Sequence, residues 1–338
     1  MPEIRHNIIT REWVIIATER AKRPEDFAKA NPRRPELAPY EAKCPFCPGN
    51  ESQAPPETYR TPTDGAWQVR VVPNKFSALS ATGELVRQGQ GLKRTISGVG
   101  RHEVIVESPA HNKTLAQLSE SAVGQVIQTY SARYTALTAD PRVAHVTIFK
   151  NHGERAGSSL EHAHSQIIGT PIIPPQVRDR MENALRFYDE TGDCIFCSLM
   201  AEELLDQSRI IAQTEHFVAF IPYAALTPFH LWIYPLRHRA NFSEATDAEL
   251  ADLSRLLSSI LRKIYFGLEN PDFNLSVRTP PREASGLRYY HWYLSVIPRV
   301  TRVAGFEIGS GMFINVSLPE KSAEFLRNAP TEAAPAKA

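Results

Sequence analysis

The chain has 338 residues, 42% of them hydrophobic and 22% charged, with a formal net charge of +1. That length and apolar content support two domains or one large domain with a substantial core, and the near-zero charge excludes a broad polyanion-binding surface of the nucleic-acid kind. No apolar run reaches the length of a membrane span, and the opening MPEIRHNIITREWVII lacks the basic, apolar and small-residue succession of a signal peptide, so a cytoplasmic protein with no membrane or nucleic-acid partner is expected.

Taken in order, residues 6–17 read as a turn followed by a strand from Trp13 to Ala17. The loop after it carries Arg20, Lys22 and Arg23 around a proline. Cys44-Pro-Phe-Cys47-Pro-Gly forms a tight knuckle, and Trp67 to Phe76 reads as a strand broken at Pro73, with Asn74 just past the break. A second strand covers His102 to Glu107 and runs into His111. Residues 114–139 repeat apolar positions every three or four residues, which predicts an amphipathic helix. A strand from Val143 to Phe149 then leads through Asn151 and the loop HGERAGSSLE to the strand carrying His162, His164 and Gln166. In extended chain these three side chains share one face.

From about residue 177 the landmarks repeat. After a linking helix come Cys194-Ile-Phe-Cys197, a strand ending at Pro222 and a strand from His230 to His238. A helix over 245–266, a strand at 273–277 and a strand containing His291 complete the series. Both halves keep the order CxxC, strand, strand with His, helix, strand, loop and His-strand, which is an internal duplication with a domain-sized period. The expected fold is α+β. Each half is a mostly antiparallel sheet with flanking helices, and the two join in one extended sheet or half-barrel. The division falls at 1–176 and 177–327, with 328–338 as a disordered tail.

Paired Cys-x-x-Cys motifs in a reducing compartment point to metal or redox chemistry more than to disulfides. Cys44, Cys47, His111 and His162 form a Cys₂His₂ set, and Cys194, Cys197, His238 and His291 form its counterpart. Such sets suit structural zinc with all four positions filled. His230 is the alternative third ligand of the second set, with His238 preferred because it stands where His111 stands. A single zinc shared by both knuckles is the competing arrangement.

The duplication breaks at His164 and Gln166, which align with Tyr293 and Ser295. With His162 on zinc, His164 is left as a neutral imidazole able to attack phosphorus, provided an acceptor holds its other nitrogen as N–H. Gln166 and the Gly157-Ser158-Ser159 turn supply donors for the phosphate oxygens. The expected chemistry is nucleotidyl or phosphoryl transfer through a covalent phospho-histidine.

RAKRP (20–24), CPFCPGNE (44–51), RVVPNKF (70–76), ESPAHNKTL (107–115), KNHGERAGSS (150–159), HAHSQ (162–166) and AGFEIGSG (304–311) together resemble the galactose-1-phosphate uridylyltransferase family of the histidine-triad superfamily. The resemblance covers nearly all of residues 5–328. It implies duplicated histidine-triad-like halves, a homodimer and a ping-pong mechanism. It also implies that His164 is nucleotidylated, that Gln166 and Ser159 handle the phosphoryl charge, and that the Cys₂His₂ residues bind zinc. Asn74, Asn151 and Gly157 then contact the nucleotide or its phosphates, Arg20 and Arg23 reach the neighbouring subunit, and Phe306 and Glu307 hold hexose hydroxyls. The implied activity is transfer from a nucleotide sugar, UDP-glucose, to hexose-1-phosphate. Two departures, HAHSQ for the more familiar HPHGQ and the CIFC knuckle in place of an iron-type site, resemble the ADP-glucose phosphorylase branch, in which phosphate accepts an adenylyl group. A histidine-triad hydrolase is disfavoured by the AGFE segment. A non-catalytic zinc-stabilised binding module is disfavoured by the residues assembled around His164.

Overall fold

The computed structural model describes residues 1–17, 19, 24–30, 34–284 and 286–333. The chain opens with a hairpin, β1 (Glu3–His6) and β2 (Trp13–Ile16), followed by α1 (Pro24–Ala30). Next come β3 (Tyr59–Thr61), β4 (Val69–Pro73), the excursion β5 (Arg87–Gln90) and β6 (Lys93–Ile96), and β7 (Arg101–Val106). Helix α2 (Glu120–Thr138) leads to β8 (His145–His152) and β9 (His164–Thr170). The helices α3 (Pro175–Thr191) and α4 (Ile195–Asp206) open the second half. It continues with β10 (Ile210–Gln213), β11 (Phe217–Phe220), β12 (Leu231–Pro235), α5 (Asp247–Gly267), β13 (Phe273–Arg278) and β14 (Tyr293–Pro298). The chain closes with α6 (Gly305–Ser310), β15 (Phe313–Asn315) and α7 (Pro319–Asn328).

One ten-stranded sheet dominates, in the order β10-β11-β12-β14-β13-β8-β9-β7-β4-β3, with every pairing antiparallel. Outward from its centre each half runs fourth strand, fifth, third, second, first. In each half the long helix falls between the third and fourth strands. The duplication read from cysteines and histidines is therefore a duplication of topology. The halves join where β8 and β13 pair, with Asn151 opposite Asn274. A separate three-stranded sheet combines β1, β2 and β15.

Alternation decides which face of the sheet is buried. Val146 and Ile148 on β8, Ile167 on β9, and Phe273, Leu275 and Val277 on β13 face the main apolar core beneath α2 and α5. The side chains between them turn to the other face: His145, Thr147, Phe149, Asn151, His164, Gln166, Asn274, Ser276 and Arg278. Both core helices start at designed caps. Ser119 accepts from the Ala122 N–H, and Thr246 and Glu249 exchange bonds in a capping box. On its open face the second half is covered by α3 and α4, which bury Phe196, Tyr234, Tyr290 and Tyr293 in a satellite cluster. In the first half that face is covered only in part, where the cysteine knuckle packs Phe46 and Trp67 against Val72, Val104 and Val106, and this asymmetry leaves room for a site.

Several expectations shift. The helix expected from 114 begins at Glu120, because Leu115–Gln117 forms a 3₁₀ turn in which Gln117 Oε1 accepts from the Thr114 N–H. Cys194 is the N-cap of α4 and Cys197 lies in its first turn, whereas Cys44 and Cys47 sit in successive turns. His162 precedes its strand in a bend, so it does not share the pleat of His164 and Gln166. Of the tail expected to be disordered from 328, the first residues are held: Asn328 closes α7, Ala329 is buried, and Lys263 donates to the carbonyls of Arg327 and Ala329, while residues 334–338 lie outside the described residues.

Candidate active site

The first knuckle brings its four residues together. The ligand atoms of Cys44, Cys47, His111 and His162 lie within 4.8 Å of one another, and all four residues are buried. His162 Nδ1 is 3.6 Å from each sulfur, and His111 Nδ1 is 3.5 Å from Cys47 Sγ. A zinc with bonds of about 2.3 Å to sulfur and about 2.05 Å to nitrogen at tetrahedral angles holds S and N about 3.6 Å apart, so the donor set fits that ion. The N–H at His162 Nε2 donates to the Ser108 carbonyl at 2.7 Å, which leaves the Nδ1 lone pair facing the sulfurs. Burial, before any other cause, lowers the His162 pKa to about 4 and keeps the ring in its neutral, ligating form. Burial likewise pushes the Cys44 thiol up, a shift that a cation at the centre would reverse.

The second set assembles in the same way, again within 4.8 Å. Cys197 Sγ lies 3.3 Å from His238 Nδ1 and 3.4 Å from His291 Nδ1, and His238 Nε2–H donates to Leu287 O at 2.9 Å. A hydrogen bond from Cys197, then His238, pulls the Cys194 thiol down. His230 is elsewhere: its Nε2 lies 3.0 Å from Ser295 Oγ, so His238 and not His230 completes the set. The two sets are separate, and the shared-metal arrangement does not occur. Each is chemically fit for zinc, which would act as a cross-link between the knuckle, the loop after the third strand and the start of the fifth.

His164 is the first residue of β9 and is buried. Its Nδ1–H donates to the His162 carbonyl at 2.8 Å, so the backbone of a metal-set residue supplies the acceptor that the nucleophile needs. That bond leaves the Nε2 lone pair open, with no partner among the described residues. Desolvation lowers the His164 pKa; the carbonyl bond opposes that shift and Lys150 adds to it, so the ring is neutral at neutral pH. Phe46, between the knuckle cysteines, packs its ring 5.4 Å from His164 and 6.0 Å from His162. The metal set and the free imidazole are therefore parts of one rigid corner.

Behind His164 runs a buried polar network that the sequence did not announce. Lys150 Nζ reaches Glu107 Oε2 at 2.7 Å and donates to the His164 carbonyl at 3.2 Å. Glu107 also accepts from Ser165 Oγ, which lies 2.5 Å from Tyr130 OH. Lys150 and Glu107 side chains are 1% and 0% exposed, so this is an ion pair in the interior, satisfied from both sides.

Gln166 shares the open face with His164, and a second unannounced residue orients it. The Ala78 N–H donates to His102 Nδ1, which makes His102 Nε2 the protonated nitrogen. His102 Nε2–H donates to Gln166 Oε1 at 2.8 Å, and Asn74 Nδ2 lies beside both, 3.0 Å from His102 Nε2 and 3.4 Å from Gln166 Oε1. With its oxygen held, Gln166 has its NH₂ to present to an anion. His102 was legible as the head of a strand. Its place beside Gln166 follows from the register that sets Val104 opposite Gln166, which sequence spacing does not give.

The loop after β8 is fixed by amides. Asn151 Nδ2 donates to Gly157 O at 3.4 Å, while Asn274 Nδ2 donates to Asn151 Oδ1 at 2.8 Å and Ala156 O at 2.9 Å. Gly157 has φ +89°, a conformation that side chains rarely adopt. At Gly153 a β-carbon would collide with the Arg34–Asp272 ion pair. Ser159 follows in this loop and is exposed.

Phe306 and Glu307 lie apart, on α6 next to the three-stranded sheet. Phe306 is exposed, and Glu307 accepts from the N–H of Ala304, capping its own helix at 2.9 Å. Among the described residues no hydrogen bond or ion pair links them to the His164 corner. Arg20 and Arg23 lie outside the described residues.

Comparison with known proteins accords with this geometry. The family described as galactose-1-phosphate uridyl transferase, N-terminal domain, matches residues 1–174. An ADP-glucose phosphorylase of Arabidopsis thaliana is 36% identical over 96% of this chain and 92% of its own length. A galactose-1-phosphate uridylyltransferase of Thermotoga maritima is 27% identical over 98% of this chain and 100% of its own. Among solved structures, an ADP-glucose phosphorylase from Arabidopsis thaliana with bound ADP-glucose superposes with a TM-score of 0.82 at 32% identity, covering 98% of this chain and 99% of that one.

Proposed function

The chain belongs to the galactose-1-phosphate uridylyltransferase family, and from that premise we propose that it transfers the nucleotidyl group of a nucleotide sugar through His164. His164 Nε2 attacks the α-phosphorus, the bond from that phosphorus to the bridging oxygen breaks, and hexose-1-phosphate leaves with the electron pair. A phosphate oxygen of the acceptor then attacks the nucleotidyl-histidine, and the neutral imidazole is restored. The observation that carries this reading is the bond from His164 Nδ1–H to the His162 carbonyl, which fixes the tautomer with Nε2 as nucleophile. That carbonyl also gains interaction with the ring as positive charge builds on it. Gln166, oriented by His102 and Asn74, donates to the phosphoryl oxygens, and Ser159 adds a hydroxyl from the loop. Zinc at the Cys₂His₂ sets would supply structural cross-linking rather than chemistry.

Two donor–acceptor pairs have specific support. UDP-glucose with hexose-1-phosphate follows from the family description and the uridylyltransferase relatives. ADP-glucose with phosphate follows from the higher identity to the Arabidopsis phosphorylase and from the second Cys₂His₂ set. The protein works in this reading as a cytoplasmic homodimer. In it Arg20, Arg23 and the exposed Phe306 of α6 serve the neighbouring subunit's site, in line with the absence, among the described residues, of a hydrogen bond or ion pair from α6 to the chain's own His164 corner.

Intact-protein mass spectrometry tests the reading. Purified enzyme is mixed with UDP-glucose or ADP-glucose and quenched in alkali, where a phosphoramidate survives. A uridylyl or an adenylyl gain, lost in acid and absent from His164→Gly, is expected and identifies the donor. An adduct that persists in His164→Gly would refute the assignment of the nucleophile.

A further inference from the structure

A cavity of roughly 470 Å³ opens on the same sheet face as His164, where α3 crosses β8 and β13. Its walls include Arg180 from α3, Arg278 from the end of β13, His145 and Thr147 from β8, and Tyr290. Phe149 pairs with Gln166 and with Ser276, so Thr147 and Arg278 sit one pleat further along the face, roughly 8 Å and roughly 12 Å from Gln166 respectively. The cavity is thus near the His164 corner and distinct from it.

Its charge is unusual. Arg180 is 9% exposed, donates through NH1 only to Gln176 O of its own helix, and has no partner at Nε. Arg278 has no hydrogen bond or ion pair among the described residues. Burial and the neighbouring Arg180 charge lower its pKa. Glu12 is the carboxylate whose charge both arginines feel; its Oε2 is buried without a partner, and among the described residues no ion pair joins it to either. His145 is buried, with no partner at Nδ1. Two guanidinium groups facing one cavity without a paired carboxylate are destabilising unless something negative joins them. Guanidinium forks match phosphate oxygens bidentately, and the Thr147 hydroxyl beside them adds a donor. The volume lies within the range of small-molecule sites, large enough for more than a bare oxyanion.

We propose that this cavity binds a phosphate-bearing anion, either inorganic phosphate or a small phosphomonoester such as a sugar phosphate, held by Arg180 and Arg278. The site does not depend on covalent chemistry at His164, so it stands or falls separately from the function proposed above.

The test is isothermal titration of the metal-loaded protein in phosphate-free buffer with inorganic phosphate and, separately, with glucose-1-phosphate. Melting curves are recorded alongside. One anion binds per cavity, and at a hundredfold excess over the dissociation constant Tm rises by about 4 °C. His164→Gly keeps that binding within about twofold. Arg278→Met and Arg180→Met each weaken it at least about tenfold, as loss of a charge-assisted donor requires. Binding of inorganic phosphate identifies that ion as sufficient; binding of the ester alone identifies the phosphomonoester. Arg278→Lys covers the case in which a methionine variant does not fold: it retains charge, loses the fork and binds more weakly than wild type. Absence of binding by both anions overturns the proposal. So does binding abolished in His164→Gly and retained in the arginine variants.

Discussion

Lys150 gives the sharpest test of how the His164 corner is held. Its ammonium is buried between Glu107 at 2.7 Å and the His164 carbonyl at 3.2 Å, beneath the strand that starts with the nucleophile. Lys150→Met leaves the Glu107 carboxylate in the interior with only the Ser165 and Tyr130 hydroxyls for company. Removing one partner of a buried pair costs about 3–5 kcal/mol, a large part of the roughly 5–15 kcal/mol that holds a typical domain. Replacing both partners by apolar groups of similar shape is close to neutral. Lys150→Met and Glu107→Leu should therefore each lose about 3–5 kcal/mol in urea unfolding at fixed zinc. The double variant should lose far less than their sum, a coupling of at least about 3 kcal/mol. Because Lys150 also tethers the His164 carbonyl, kcat should fall in Lys150→Met with little change in KM, and partial recovery of stability in the double variant should not restore it. A loss below about 1 kcal/mol in Lys150→Met, or strict additivity in the double variant, would refute the account of the pair.

Gln166→Ala should lower kcat about 10²–10³-fold, and His102→Ala less, since it releases the Gln166 amide without removing it; steady-state kinetics on the identified donor separates the two. Cys44→Ser should lose one zinc by elemental analysis and most of the activity, because the carbonyl that orients His164 belongs to His162. Cys194→Ser should lose the other zinc and lower Tm while sparing a larger share of activity. Acid should destabilise the fold through histidines buried in neutral form. Burial lowers His152 to about 3, so above pH 6.5 it makes no difference to stability. Below 6.5 the unfolded chain takes up a proton that the fold refuses. Stability then falls by about 1.4 kcal/mol per pH unit and levels off beneath about pH 3. His152→Gln should flatten that slope in urea titrations from pH 6.5 to 4; an unchanged slope would place the acid sensitivity elsewhere.

The sequence alone determined whatever is encoded by local spacing. Cys-x-x-Cys and histidines at matching points of each half were enough to gather the candidate ligands of both metal sets, with His230 left as an alternative in the second, to single out His164 two residues beyond His162, and to expose the duplication. Those signals are short-range, or repeat in order along the chain, so no folding is needed to see them. The tertiary structure decided what depends on register and on which surfaces meet. Antiparallel pairing sets His102 beside Gln166, 64 residues apart, and Lys150 behind His164, and sequence spacing brings neither pair together. Both His230 and His238 have ligand chemistry, and only the turn of the chain after β12 shows that His238 reaches the sulfurs while His230 turns to Ser295. The same holds for Arg180 and Arg278, ordinary charges in sequence on a helix and a strand 98 residues apart. They become a cationic cavity because α3 folds back across the sheet, and among the described residues no carboxylate forms an ion pair with either.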